Sequence, residues 1–105
     1  MRKVNIQRNQ KIYRTITDKV KLSPKETYRI EHFPAYENIT IKKIYINCVS
    51  KGLLVKFICN NTIIELNDNN TINMKINKNQ FYSLIVENNT NSEIEDTLYI
   101  VITYD

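Results

Sequence analysis

The chain has 105 residues, the length of one domain, and 42% of them are hydrophobic, enough to bury a core without disulfides or metals and too many for a disordered chain. Seventeen Ile and fifteen Asn stand against one Gly, two Pro and no Trp, and one glycine cannot build a phosphate-cradling loop. The net charge of +4 is uneven: residues 1–56 hold thirteen Lys and Arg against four Asp and Glu (+9), and residues 57–105 hold two against seven (−5). That imbalance allows a basic face for an acidic partner or a head-to-tail surface that meets copies of the same chain, unless the halves interleave and the charges mix.

Hydropathy alternates with period two almost throughout. Met1-Arg2-Lys3 is basic, but Val4-Asn5-Ile6-Gln7-Arg8 alternates with no apolar run behind it. It reads as a strand candidate and not as a signal peptide. No apolar stretch is long enough for a membrane-spanning helix, so no membrane insertion is expected. Ile12 to Thr17 alternates next. Ser23-Pro24-Lys25-Glu26 has the residues of a capped helical turn, yet the alternation resumes at Thr27 and favours a plain turn. Leu22 to Tyr28 is similar to a strand entry common in β-sandwiches, apolar-x-Pro-Gly-Glu-x-aromatic. Tyr28 to Phe33 follows as a strand.

Ile39 to Cys48 is two alternating runs with a parity slip at Lys42-Lys43, the signature of a β-bulge. Leu53 to Cys59, Ile63 to Leu66, Ile72 to Ile76, Phe81 to Val86 and Leu98 to Tyr104 complete nine strand candidates at roughly ten-residue spacing. Lys51-Gly52 reads as a hairpin tip. The Asn clusters at 60–61, 67–70, 77–79 and 88–91 read as further turns, Asn standing in for Gly where φ must be positive. Phe81 to Tyr104 resembles the closing hairpin of many sandwiches. The expected fold is therefore all-β: residues 1–105 as a single antiparallel two-layer sandwich, jelly-roll or immunoglobulin-like, of eight or nine short strands.

A hairpin at Lys51-Gly52 would pair Cys48 with Val55 and Cys59 with Ile44. The two cysteines would then lie roughly 13 Å apart on one buried face, beyond the roughly 7 Å a disulfide allows. Two buried free thiols are expected. His32 is the one histidine, too few with the cysteines for a zinc site and without a nucleophile motif beside it. Glu93, Glu95 and Asp96 cluster in a predicted loop, and Asn67 to Thr71 has calcium-loop composition without its glycine or terminal glutamate. No catalytic residue, cofactor or metal is expected, and the chain does not read as an enzyme. Four N-x-[ST] sequons, at Asn38, Asn60, Asn69 and Asn88, are expected by chance at this asparagine content and carry no meaning if, as expected, the chain is not exported.

What remains is surface. The hairpin would place Tyr45 beside Leu54 and Ile58, away from the cysteines, and Leu98–Tyr104 is apolar on both faces. Tyr45, Leu54, Ile58, Tyr99 and Val101 are the expected protein interface. Arg2, Lys3, Arg8, Lys11 and Arg14 open a basic N-terminal third, interleaved with Tyr13 and Tyr28, that could hold nucleic acid. The expected role is a structural component of a larger assembly acting through contacts with other proteins or its own copies. Composition biased to Ile, Asn and Lys fits an AT-rich phage or virus, with the protein made in the host cytoplasm and placed in the virion as a capsid decoration, head fibre or tail accessory. The alternatives are a carbohydrate- or ligand-binding module using exposed tyrosines, and a cytoplasmic nucleic-acid-binding or inhibitor protein using the basic residues.

Overall fold

A computed structural model describes residues 12–35, 37–47 and 50–104, apart from the side chains of residues 12, 13 and 32–34. Among them are eight strands and no helix: β1 (Ile12–Leu22), β2 (Thr27–Pro34), β3 (Ile39–Asn47), β4 (Leu53–Cys59), β5 (Thr62–Leu66), β6 (Asn69–Ile76), β7 (Phe81–Asn88) and β8 (Ile94–Tyr104). The ninth candidate, Val4 to Gln7, lies outside the described residues.

The pairing follows one rule. β1 pairs with β8, β2 with β7, β3 with β6 and β4 with β5, all antiparallel. The chain is one long hairpin whose tip is Asn60-Asn61. Pairings of β3 with β8 and β4 with β7 roll that hairpin into two four-stranded sheets, β1-β8-β3-β6 and β2-β7-β4-β5. This strand order is a jelly roll, so the choice from sequence between jelly roll and immunoglobulin-like sandwich is settled.

Six of the seven connections therefore cross between the sheets, and only β4–β5 is a hairpin within a sheet. That overturns the hairpin at Lys51-Gly52. Both sides of β3 are taken by β6 and β8, both sides of β4 by β5 and β7, and the predicted pairing of the two strands does not form. Asn67 to Asn70 and Asn88 to Asn91 are likewise arches between layers, and Phe81 to Tyr104 is not a closing hairpin. Gly52 has an ordinary φ. A Cβ there would meet Thr90 Cγ2 at 2.4 Å and Ile94 Cδ1 at 2.8 Å, so close approach and not conformational freedom demands this glycine.

The bulge expected at Lys42-Lys43 is present. Against β8, Lys42 is the extra residue of β3. Against β6, the extra residue lies on β6, where Asn73 has φ 49°. Asn60 and Asn79 also have positive φ, as expected of Asn replacing Gly. Lys25 does too, at φ 65°, in a turn closed by Glu26 N donating to Ser23 O at 3.0 Å. Glu26 Oε1 accepts from Ser23 N at 2.8 Å, so the capping contact forms around a turn without a helix.

The alternating residues do what period two requires. Ile41, Ile44 and Ile46 of β3, Leu98, Ile100 and Ile102 of β8, Val55, Phe57 and Cys59 of β4, and Tyr82, Leu84 and Val86 of β7 meet between the sheets, nearly all fully buried. Each side chain of this size contributes about 1.5–3 kcal/mol when removed from water. β4 and β8, apolar on both faces, are central strands.

Candidate functional site

The predicted interface residues do not share a face. Tyr45, Tyr99 and Val101 lie on the outer side of sheet β1-β8-β3-β6, whereas Leu54 and Ile58 lie on the outer side of the other sheet. Their grouping depended on the hairpin that does not form. On the first sheet, Val101 stands between Thr15 of β1 and Tyr45 of β3, with Asn69 of β6 beyond. The next outward row is Thr17, Tyr99 and Asn47. Tyr45 and Tyr99 are 45% and 49% exposed. The tyrosines sit diagonally about Val101 in a surface of hydroxyl and amide side chains.

On the second sheet, Ile63, Ile58 and Ser83 are in register across β5, β4 and β7, followed by Glu65, Lys56 and Ile85. Ile63 is 65% exposed and Phe81 51% exposed. Lys56 Nζ pairs with Glu87 Oε1 at 3.4 Å, and Thr27 Oγ1 donates to the same carboxylate at 3.4 Å. Exposed apolar residues at one end of the face therefore give way to a mixed charge cluster at the other. Sequence reasoning missed Ile63 and Phe81, although their parity opposite Ile64 and Tyr82 carried the signal.

Of the predicted basic residues, Arg2, Lys3, Arg8 and Lys11 lie outside the described residues. Arg14, the one described member of that set, is committed to an acidic partner. It sits on the inward-facing row of β1 with Ile16 and Val20, and its Nη2 donates to both carboxylate oxygens of Glu31 on β2, at 2.6 and 2.8 Å. That hydrogen bond raises the guanidinium pKa above its ordinary value. The pair joins the two sheets at the β1/β2 edge. The other basic residues disperse: Lys19 and Lys21 on β1 of one sheet, Arg29 on β2 of the other.

Near Arg14 the Tyr82 phenol is pushed up to about 12, chiefly by burial and further by Tyr104, with Arg14 opposing. The Tyr82 ring meets Phe57 at a centroid distance of 6.1 Å. Cys59 is buried and free, as expected, and burial pushes its thiol up, away from the reactive thiolate. Cys48 lies outside the described residues, as does the His32 side chain.

The acidic cluster divides. Glu95 and Asp96 belong to β8 and not to a loop, and Asp96 Oδ2 accepts from Ser50 N at 2.7 Å. Asn70 ties the β5–β6 arch: its Oδ1 accepts from Asn67 N at 2.8 Å, and its Nδ2 donates to Ile44 O at 3.0 Å. Among the described residues no three His, Cys, Asp or Glu side chains are grouped to hold a metal. Beside this arch lies a cleft of about 600 Å³, lined by buried Ile46, Leu53, Val55 and Leu66 and by exposed Glu65 and Asp68. The Asn88 sequon is structural: Asn88 is fully buried and accepts from the Thr90 hydroxyl at 2.7 Å. No family model, no curated protein and no solved structure matches this chain.

Proposed function

We propose that the protein is a non-enzymatic structural component of a larger assembly, a small phage or virus virion protein working through the outer faces of its jelly roll. One observation carries the reading. Both outer faces present large apolar side chains to solvent, Tyr45 and Tyr99 on one sheet and Ile63 and Phe81 on the other, and no helix among the described residues covers either. Exposed patches of this kind mark interaction surfaces, and tyrosine is enriched where proteins meet. Jelly rolls recur in capsid and lectin domains alike, so the virion assignment rests on that analogy together with composition.

Light scattering over a range of concentrations and salt tests the proposal. The wild type associates with little dependence on salt, and Tyr45→Ser/Tyr99→Ser weakens the association while leaving the thermal midpoint within a few degrees. A salt-insensitive monomer at all concentrations counts against assembly. Tyr-dependent retention of that monomer on a glycan column transfers the assignment to a carbohydrate-binding module.

A further inference from the structure

The four sheet edges are not alike. β2 carries a bulge at Ile30 and ends on Pro34, β5 is five residues long, and β6 is broken by the bulge at Asn73. Short strands, prolines and bulges are how proteins keep edges from pairing with other chains. β1 has none of them: its eleven residues run against β8 without a register shift, and no described strand occupies its other side.

β1 does carry inward-facing charges, Arg14 and Asp18, opposite Ile102 and Leu98. Such charges block pairing with an arbitrary strand. They permit one particular pairing. Two copies of β1, antiparallel about a two-fold axis at Ile16, place Arg14 of each copy opposite Asp18 of the other, Thr15 opposite Thr17, and Ile16 opposite itself. Opposed residues of antiparallel strands point to the same side, so the inner faces of the two sheets stay continuous. Moving the axis one residue toward either end sets each charge opposite an apolar position. Moving it two sets Arg14 against Arg14 or Asp18 against Asp18. A register of opposite parity turns the inner face of one copy to the outer face of the other. Arg14 already bonds Glu31 and has further donors. The Asp18 side chain makes no hydrogen bond or ion pair among the described residues.

We infer that the β1 edge docks a second copy of this chain through antiparallel β1–β1 pairing centred on Ile16, joining two four-stranded sheets into one of eight. Extended backbone supplies the affinity and the Arg14–Asp18 pairs supply the register. The surface is the sheet edge and not the Tyr45 and Tyr99 face, so substitutions on one surface separate this inference from the assembly proposal.

Sedimentation equilibrium of the full chain tests it. The wild type forms a dimer, and Asp18→Arg turns two attractive cross-strand pairs into repulsive ones and raises the dimer dissociation constant about tenfold or more. Tyr45→Ser/Tyr99→Ser leaves that constant unchanged. Thermal melting confirms that each variant is folded. Register is read by oxidation of an equimolar mixture of Thr15→Cys and Thr17→Cys chains, both carrying Cys48→Ser. The mixture crosslinks, and either variant alone does so far less. A monomeric wild type near millimolar concentration, a dimer indifferent to Asp18→Arg, or equal crosslinking in all three samples overturns the inference.

Discussion

The two ends of strand β7 use the same chemistry, side-chain amides bonded to loop backbone, in opposite surroundings. At one end, buried Asn88 donates from Nδ2 to Leu22 O at 3.0 Å, Ser23 O at 3.1 Å and Ser92 O at 2.8 Å, and accepts at Oδ1 from Thr90 N and Thr90 Oγ1. Its backbone bonds Lys25 N and Glu26 O as well. At the other end, Gln80 accepts from Asn77 N at 2.7 Å and donates to Asn60 Oδ1 at 3.0 Å, while Asn38 Oδ1 accepts from Lys78 N, all at the surface. Both networks hold arches between the sheets. Only the first excludes water, so only there does a lost partner leave groups with nothing to replace it.

The largest effect is expected at Asn88. Asn88→Ala strips a donor from three carbonyls and an acceptor from Thr90, and lowers unfolding free energy by about 3 kcal/mol. Asn88→Asp keeps the shape but turns a carboxylate oxygen toward the same carbonyls, and lowers it at least as much. Urea titration measures both, and a loss under about 1 kcal/mol for Asn88→Ala would show that water reaches this end as well.

Next comes Gly52, whose O accepts from Asn89 N at 2.9 Å beside the same network. Thr90 cannot swing its Cγ2 away from an added Cβ without breaking the bonds its hydroxyl makes to Asn88 and Ser92. Gly52→Ala therefore lowers stability by about 1–3 kcal/mol. Thr90→Ser removes the offending methyl and keeps the hydroxyl, so most of the loss returns in Gly52→Ala/Thr90→Ser. A double-mutant cycle measures this coupling, and strict additivity would refute the steric account.

This corner also marks where the sequence stopped being legible. Strand positions, facing parity and the Lys42 bulge were readable because they are local and period two reports them directly. The extension of β8 back through Glu95 and Asp96 was missed because those acids resemble a loop. Which strands pair was not readable. An Asn or Lys-Gly segment between two alternating runs reverses the chain equally well within a sheet and from one sheet to the other. Only long-range pairing chooses, and here it chose the arch six times in seven. The interface grouping failed for that reason: Tyr45 and Leu54 are neighbours only if β3 and β4 are. Asn88 was invisible because its sequon and its turn-like composition point to a surface, whereas its burial depends on Leu22 and Ser23 arriving from the distant β1–β2 arch to meet its own.

Tyr82, toward the Gln80 end of the same strand, tests whether that end is dry beneath its wet surface. Its phenol titrates near 12 when folded against 10 ordinarily. A raised acid pKa means the folded state holds its proton longer than the unfolded chain does. The resulting stability is complete below pH 10 and is lost as pH rises toward 12, about 2–3 kcal/mol at most. Tyr82→Phe has no proton to lose there. The wild type therefore loses more stability than the variant between pH 10 and 12, measured by urea unfolding at fixed pH. Parallel decline would mean that the phenol is hydrated in the folded protein.

The smallest effect belongs to Gln80 itself. Gln80→Ala removes one acceptor from Asn77 N and one donor from Asn60, yet water can take both places. The expected loss is about 0.5–1 kcal/mol, a fraction of that at Asn88 although both are single amide truncations next to inter-sheet arches. Asn60 keeps its left-handed φ in the β4–β5 hairpin, so the tip stays formed and the urea slope is unchanged. The same urea titration measures the ratio of the two losses. Losses of equal size would mean that burial does not govern what these networks are worth, and that the Gln80 arch holds the sheets together as firmly as the buried one does.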